Sequence, residues 1–133
     1  MQALKLEHRV RVIPYTSKVF ELLSAADFLL HPARVEAAGQ VIAEALLAGT
    51  PAIVSGICGY ATEVKRSGAG IVLPEPFEQS ALISGISNMI ERLSLFRNAA
   101  AAESKRQQLH RGRWLCVIAD EVESLGSKPG LGE

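Results

Sequence analysis

The sequence predicts an α/β domain: a parallel sheet with helices on both faces, ending in C-terminal helices. Three observations carry that prediction. Short apolar runs recur along the first half of the chain, at Phe28–Leu30, Ala52–Val54 and Ile71–Leu73. They are continuous rather than alternating, as strands covered on both faces are. Each is separated from the next by a stretch of helical periodicity, the order that right-handed βαβ crossovers produce.

The elements follow in order. His8–Ile13 gathers Val10, Val12 and Ile13 into a strand that Pro14 ends. Ser17–Ala26 reads as a helix, with Val19, Phe20, Leu22 and Leu23 apolar and Ser17 as its N-cap. Asp27–Leu30 is a buried strand that His31-Pro32 terminates. Gly39–Ala48 is the next helix; Gly49 supplies a left-handed cap, and Pro51 cannot continue the helix. Ala52–Ser55 and Ile71–Leu73 are strands on either side of a short helix, Ala61–Ser67, that Gly68 and Gly70 close. Beyond Pro74 and Pro76 the chain reads as three helices: 78–93, 95–109 and 114–125. Trp114, Val117, Ile118, Val122 and Leu125 recur at helical spacing in the last of these, as a core face does. The stretch from Gly126 is rich in turn formers and reads as a flexible tail, so that 1–125 form one domain.

Composition narrows the function classes. The 133 residues hold 14 Lys+Arg and 14 Asp+Glu, a net charge of zero, which argues against bulk attraction to nucleic acid. With 48% hydrophobic residues the chain reads as globular. Cys58 and Cys116 form no paired motif, and the three histidines have no metal-ligand spacing, so neither a disulfide scaffold nor a zinc site is expected. No apolar run reaches the ~20 residues of a membrane span, and the expected location is the cytoplasm.

A parallel sheet binds ligands at the carboxyl ends of its strands, so the loops that follow them are where chemistry is expected. The segment His31-Pro-Ala-Arg-Val-Glu36-Ala-Ala-Gly39-Gln-Val-Ile-Ala-Glu44 is the most informative. Backbone N–H groups of Ala38, Gly39 and Gln40 would open a helix there and attract an anion. Glu36 and Glu44 stand eight residues apart, two helical turns plus ~80°, and meet at one site only if Glu36 lies outside the helix. A carboxylate can accept hydrogen bonds from two adjacent sugar hydroxyls. Spacing alone is as compatible with two solvated glutamates.

Glu36-Ala-Ala-Gly-Gln-Val-Ile-Ala-Glu44, continued by Ala45-Leu-Leu-Ala-Gly49-Thr-Pro51, resembles the Glu-(x)7-Glu motif of retaining GT-B-fold glycosyltransferases of the family-4 type. The likeness extends from Leu22 through His31-Pro32-Ala33 to Cys58-Gly59-Tyr60-Ala61, Gly68-x-Gly70 and Glu75-Pro76-Phe77. In wording it is similar to enzymes that add glucose to the inner-core heptose of lipopolysaccharide. The resemblance covers about residues 17–105 and implies a Rossmann-like, nucleotide-sugar-binding C-terminal domain of GT-B type. It implies transfer of a hexose, glucose from UDP-glucose, to a lipopolysaccharide core or similar glycan, with no metal or other cofactor.

By the same resemblance Glu36 is the catalytic candidate and binds donor-sugar hydroxyls. The amides of Ala38 and Gly39 lie against sugar and diphosphate, Glu44 holds the ribose, and Tyr15 flanks the base; Gln40, next at the helix start, joins the donor-binding set. A GT-B enzyme places its active site between two such domains, whereas this chain has room for one. It is therefore expected to be inactive alone, to be the donor subunit of a split enzyme, or to be a non-catalytic remnant.

Other candidates have plainer accounts. His31 and Glu63 read as structural, and Cys58 lacks a base to activate it. Lys105, Arg106, His110, Arg111 and Arg113 read as a solvated helical face, with a weak peripheral contact to anionic lipid at the inner membrane face as the functional rival.

Overall fold

The computed structural model describes the backbone of residues 6–126 and the side chains of residues 6–110. A three-stranded parallel sheet, in the order β1 (Leu29–His31), β2 (Ala52–Ser55) and β3 (Gly70–Leu73), is flanked by helices. Leu29 is opposite Ala52, and Ala52 is opposite Gly70. The helices are α1 (Val19–Ala25), α2 (Gln40–Ala48), α3 (Ala61–Ser67), α4 (Gln79–Glu91) and α5 (Leu93–Gly126).

The pleat of β2 divides the core. Ala52 and Val54 pack with Ile42 and Leu46 of α2 and Ala61 and Val64 of α3. Ile53 points the other way, to Leu73, Phe77, Met89 of α4 and Phe96 of α5. All four β2 residues are buried, which explains the unbroken apolar run. Each fully buried Ile, Leu or Met contributes about 1.5–3 kcal/mol of transfer free energy. Close approach of the strands requires glycine at position 70, because a Cβ there would fall on the Ala52 carbonyl.

Helix α5 spans both layers. Phe96 joins the second core cluster and Ala100 the first. Its polar anchors run along its length: Arg97 donates to Asp27 at 2.7 Å, and the Ser104 hydroxyl donates to the Leu47 carbonyl at 2.6 Å. The carboxylate of Glu103 is buried, yet it accepts from Arg66, Arg106 and Gln107 at 2.6–3.0 Å. Two guanidinium groups and an amide thus replace the water lost by one acid, and they hold its carboxyl far down, at about 2.

Several expectations need correction. His8–Ile13 is not a strand. The amides of Arg9 and Val10 turn back to the Leu6 carbonyl at 2.9 and 3.0 Å, and Val12 remains 73% exposed. Three apolar residues interrupted by Arg11 bury too little to override that local turn. The strand at Leu29–His31 is only half-buried, because it forms an edge of the sheet and Leu30 is 42% exposed. Ser17 does not cap α1; Lys18 occupies that position, its amide bonded to the Thr16 hydroxyl at 3.1 Å. The two helices expected over 95–109 and 114–125 are one helix of 34 residues. A mid-helix glycine such as Gly112 costs only about 1 kcal/mol relative to alanine, and the surrounding strong helix formers outweigh it.

The core role expected for Trp114, Val117, Ile118, Val122 and Leu125 falls on side chains outside the described residues. So does the tail beyond Gly126.

Candidate functional site

The loops after β1, β2 and β3 meet at one end of the sheet. The buried Ser55 hydroxyl, at the end of β2, donates to the Ala33 carbonyl at 2.5 Å and ties the first two loops together. A Cβ at Gly59 would come within 3.1 Å of the Ala38 carbonyl and 3.3 Å of that of Ala37, so only glycine lets loop 56–60 lie this close. Gly56 donates to the Leu73 carbonyl at 3.1 Å, which brings in the third loop. Arg34 completes the rim: its guanidinium lies 4.8 Å above the Phe77 ring, a cation–π contact from the first loop to the third.

Glu36 sits in the first loop, four residues before α2 begins, so the condition for the two glutamates to serve one site is met. One carboxylate oxygen accepts from the Ala37 amide at 2.9 Å; the other pairs with Nε2 of His31 at 3.2 Å. The His31 ring and then the Ala37 amide hold the Glu36 carboxyl below its ordinary range, with a smaller contribution from the Gly39 amide and some opposition from desolvation. The group remains partly exposed, with side-chain accessibilities of 25% for His31 and 27% for Glu36. Its remaining lone pairs are therefore open to a ligand.

Gly39 adopts the left-handed conformation, φ 70°, and its carbonyl accepts from Ile42 at 2.9 Å, which starts α2. No side chain caps this helix. Gln40 and Glu44 are four apart on α2 and both exposed, so they share its solvent face. The structure thus gathers Glu36, Ala38, Gly39 and Gln40 at one helix start, with Glu44 one turn further on. It does not bring Tyr15 to them: Tyr15 is fully exposed, in the irregular segment before α1.

Residues 1–107 match the family described as "Glycosyl transferases group 1". The chain belongs to that family. It is 50% identical over 64 residues to the lipopolysaccharide glucosyltransferase WaaG of Escherichia coli (strain K12), which is 48% of this chain and 17% of the relative. Among solved structures it matches the crystal structure of WaaG, a glycosyltransferase involved in lipopolysaccharide biosynthesis. The TM-score is 0.72 at 35% identity, over 78% of this chain and 28% of that one. The chain therefore spans less than a third of the length of these relatives. The family's fold explains why the polar residues collect at the carboxyl end of the sheet.

Three contributors were not assigned to the site from sequence. His31, structural by its sequence setting, is the side-chain partner of Glu36. Its signal was a polar residue at the end of an apolar strand, followed by a proline that turns the chain back. Ser55 is likewise a polar residue that ends an apolar strand, followed there by Gly56. Arg34 is the only Lys or Arg in the three loops. Cys58 is buried, its sulfur 3.5 Å from the Ser55 hydroxyl, and fits the structural reading.

Of the basic cluster, Arg106 is committed to Glu103, while Lys105 and His110 are exposed; Arg111 and Arg113 have side chains outside the described residues. Among the described residues no three His, Cys, Asp or Glu group as metal ligands, and no helix is long and apolar enough to cross a membrane.

Proposed function

We propose that this chain is the nucleotide-sugar-binding part of a retaining glycosyltransferase that moves glucose from UDP-glucose to a lipopolysaccharide core sugar. One observation carries the reading. A carboxylate is held at both oxygens but left partly open to solvent, and it stands four residues before a helix with no side-chain cap whose exposed face bears a second carboxylate. Glu36 then accepts from donor-sugar hydroxyls and Glu44 from the two ribose hydroxyls, while Tyr15, which stands apart from them here, would have to move to flank the base. The helix-start amides at Ala38, Gly39 and Gln40 face the diphosphate, where partial positive charge stabilises the leaving group as it departs. No metal or other cofactor is required for this arrangement. The likeness to WaaG supports glucose as the sugar and lipopolysaccharide as the acceptor.

The acceptor side lies outside these elements, so the 133-residue chain binds donor without transferring it. Activity needs an acceptor domain, supplied in another polypeptide if the enzyme is split. The reading puts the chain in the cytoplasm, with exposed basic residues such as Lys105 making a peripheral contact at the inner membrane face. Calorimetric titration with UDP and UDP-glucose tests the donor site. Both should bind, and Glu44→Ala should weaken both about tenfold, the loss of a hydrogen-bonded carboxylate. A folded chain that takes up neither nucleotide rejects the proposal.

A further inference from the structure

We propose that His31 is a positioning residue, whose ring fixes the Glu36 carboxylate in the orientation that meets the donor sugar. The inference rests on the donor-sugar reading of Glu36. His31 is the last residue of β1, paired in register with Val54 of the fully buried β2, so its backbone is anchored in the sheet. Pro32 turns the chain, and the Ser55 hydroxyl holds the Ala33 carbonyl, so the segment between the two partners is pinned midway. His31 and Glu36 then close a loop of four intervening residues across 3.2 Å. With the second oxygen bonded to the Ala37 amide, the plane of the carboxylate is set by two contacts of different origin.

The cation nearest in sequence does not compete. Arg34, two residues before Glu36, has its guanidinium over Phe77. The partly sheltered pair is also stronger than one in open water, because its partners are less hydrated. Without the ring, the Ala37 amide alone leaves the carboxylate free to rotate, and the ligand must supply that ordering itself.

Two measurements on the full chain test this. The first compares UDP-glucose with UDP in calorimetry. His31→Leu should weaken UDP-glucose about tenfold and leave UDP unchanged, because the ring acts only on the sugar-facing acid. His31→Gln, whose amide N–H can still donate, should recover most of the loss. His31→Asn, too short to reach, should behave as the leucine variant does, and serves in its place if that variant does not fold. Unchanged UDP-glucose affinity, or equal losses for both ligands, overturns the proposal.

The second measurement follows the Glu36 carboxyl carbon by NMR through an acid titration. Its midpoint should rise on His31→Leu or His31→Asn and stay low in His31→Gln. If the wild-type chain binds neither nucleotide, the donor-site reading has failed, and this titration decides the positioning claim alone. An unmoved Glu36 midpoint overturns it.

Discussion

Among the described residues, two carboxyls are held below their ordinary titration range in opposite structural settings. Glu103 is buried between α3 and α5, and two arginines and a glutamine occupy its oxygens. Glu36 is partly exposed at the end of β1, held by one histidine and one amide. The first acid is saturated by the protein; the second is held but not saturated. A saturated carboxylate has nothing left to offer a ligand, whereas a held and open one is preorganised for it. The position of a shifted acid, and what remains of its hydrogen-bonding capacity, thus separates a structural group from a binding group better than the shift itself.

The contrast breaks most visibly at Glu103. Glu103→Ala leaves Arg66 and Arg106 facing each other with only Glu63 between them. Both arginines are 44% exposed, so solvent screens part of the loss, and we expect destabilisation of ~2 kcal/mol by chemical denaturation. UDP-glucose affinity should not change.

Acid probes the same acid without mutation. The Glu103 carboxyl is held at about 2 in the fold against 4.5 outside it. A depressed folded value means that its contribution is complete above the unfolded value and is lost as pH falls through the folded one. Stability should therefore decline from about pH 4.5 towards pH 2, by ~2 kcal/mol after screening. Glu103→Gln should flatten that part of the profile. An unchanged slope would remove Glu103 from its structural role.

Gly59→Ala tests the other region. Its methyl meets the Ala37 and Ala38 carbonyls, so the loop carrying Glu36 must shift. We expect ~1 kcal/mol of lost stability together with weaker UDP-glucose binding. Glu36→Gln should have the smallest effect on the fold, as substitutions of partly exposed surface groups generally do. Its effect on UDP-glucose should still reach about tenfold.

Much of this was legible in the sequence, and the failures have physical causes. The strand and helix order, the Gly49 cap and the loop position of Glu36 all follow from local patterns: apolar runs, helical periodicity, and glycine followed by proline. His8–Ile13 misled because alternating valines and arginines fit a strand whose pairing was never secured. The gap expected between 109 and 114 is helical because one glycine, Gly112, costs little beside a long run of good helix formers. The His31–Glu36 contact could not be read, since it depends on how Pro32 and the Ser55–Ala33 bond fold the loop back. The Glu103 cluster was hidden for a similar reason: Arg66 and Glu103 are 37 residues apart and meet only when α5 packs on α3.

The most direct measurement of the central claim is the thermal shift produced by UDP-glucose in three proteins: wild type, Glu103→Gln and Glu36→Gln. Ligand binding to the folded state raises the unfolding midpoint, by an amount that grows with the logarithm of affinity. The account predicts a lower starting midpoint but an undiminished shift in Glu103→Gln, and an unchanged starting midpoint with a much reduced shift in Glu36→Gln. A full shift in Glu36→Gln, or one lost in Glu103→Gln, would contradict it.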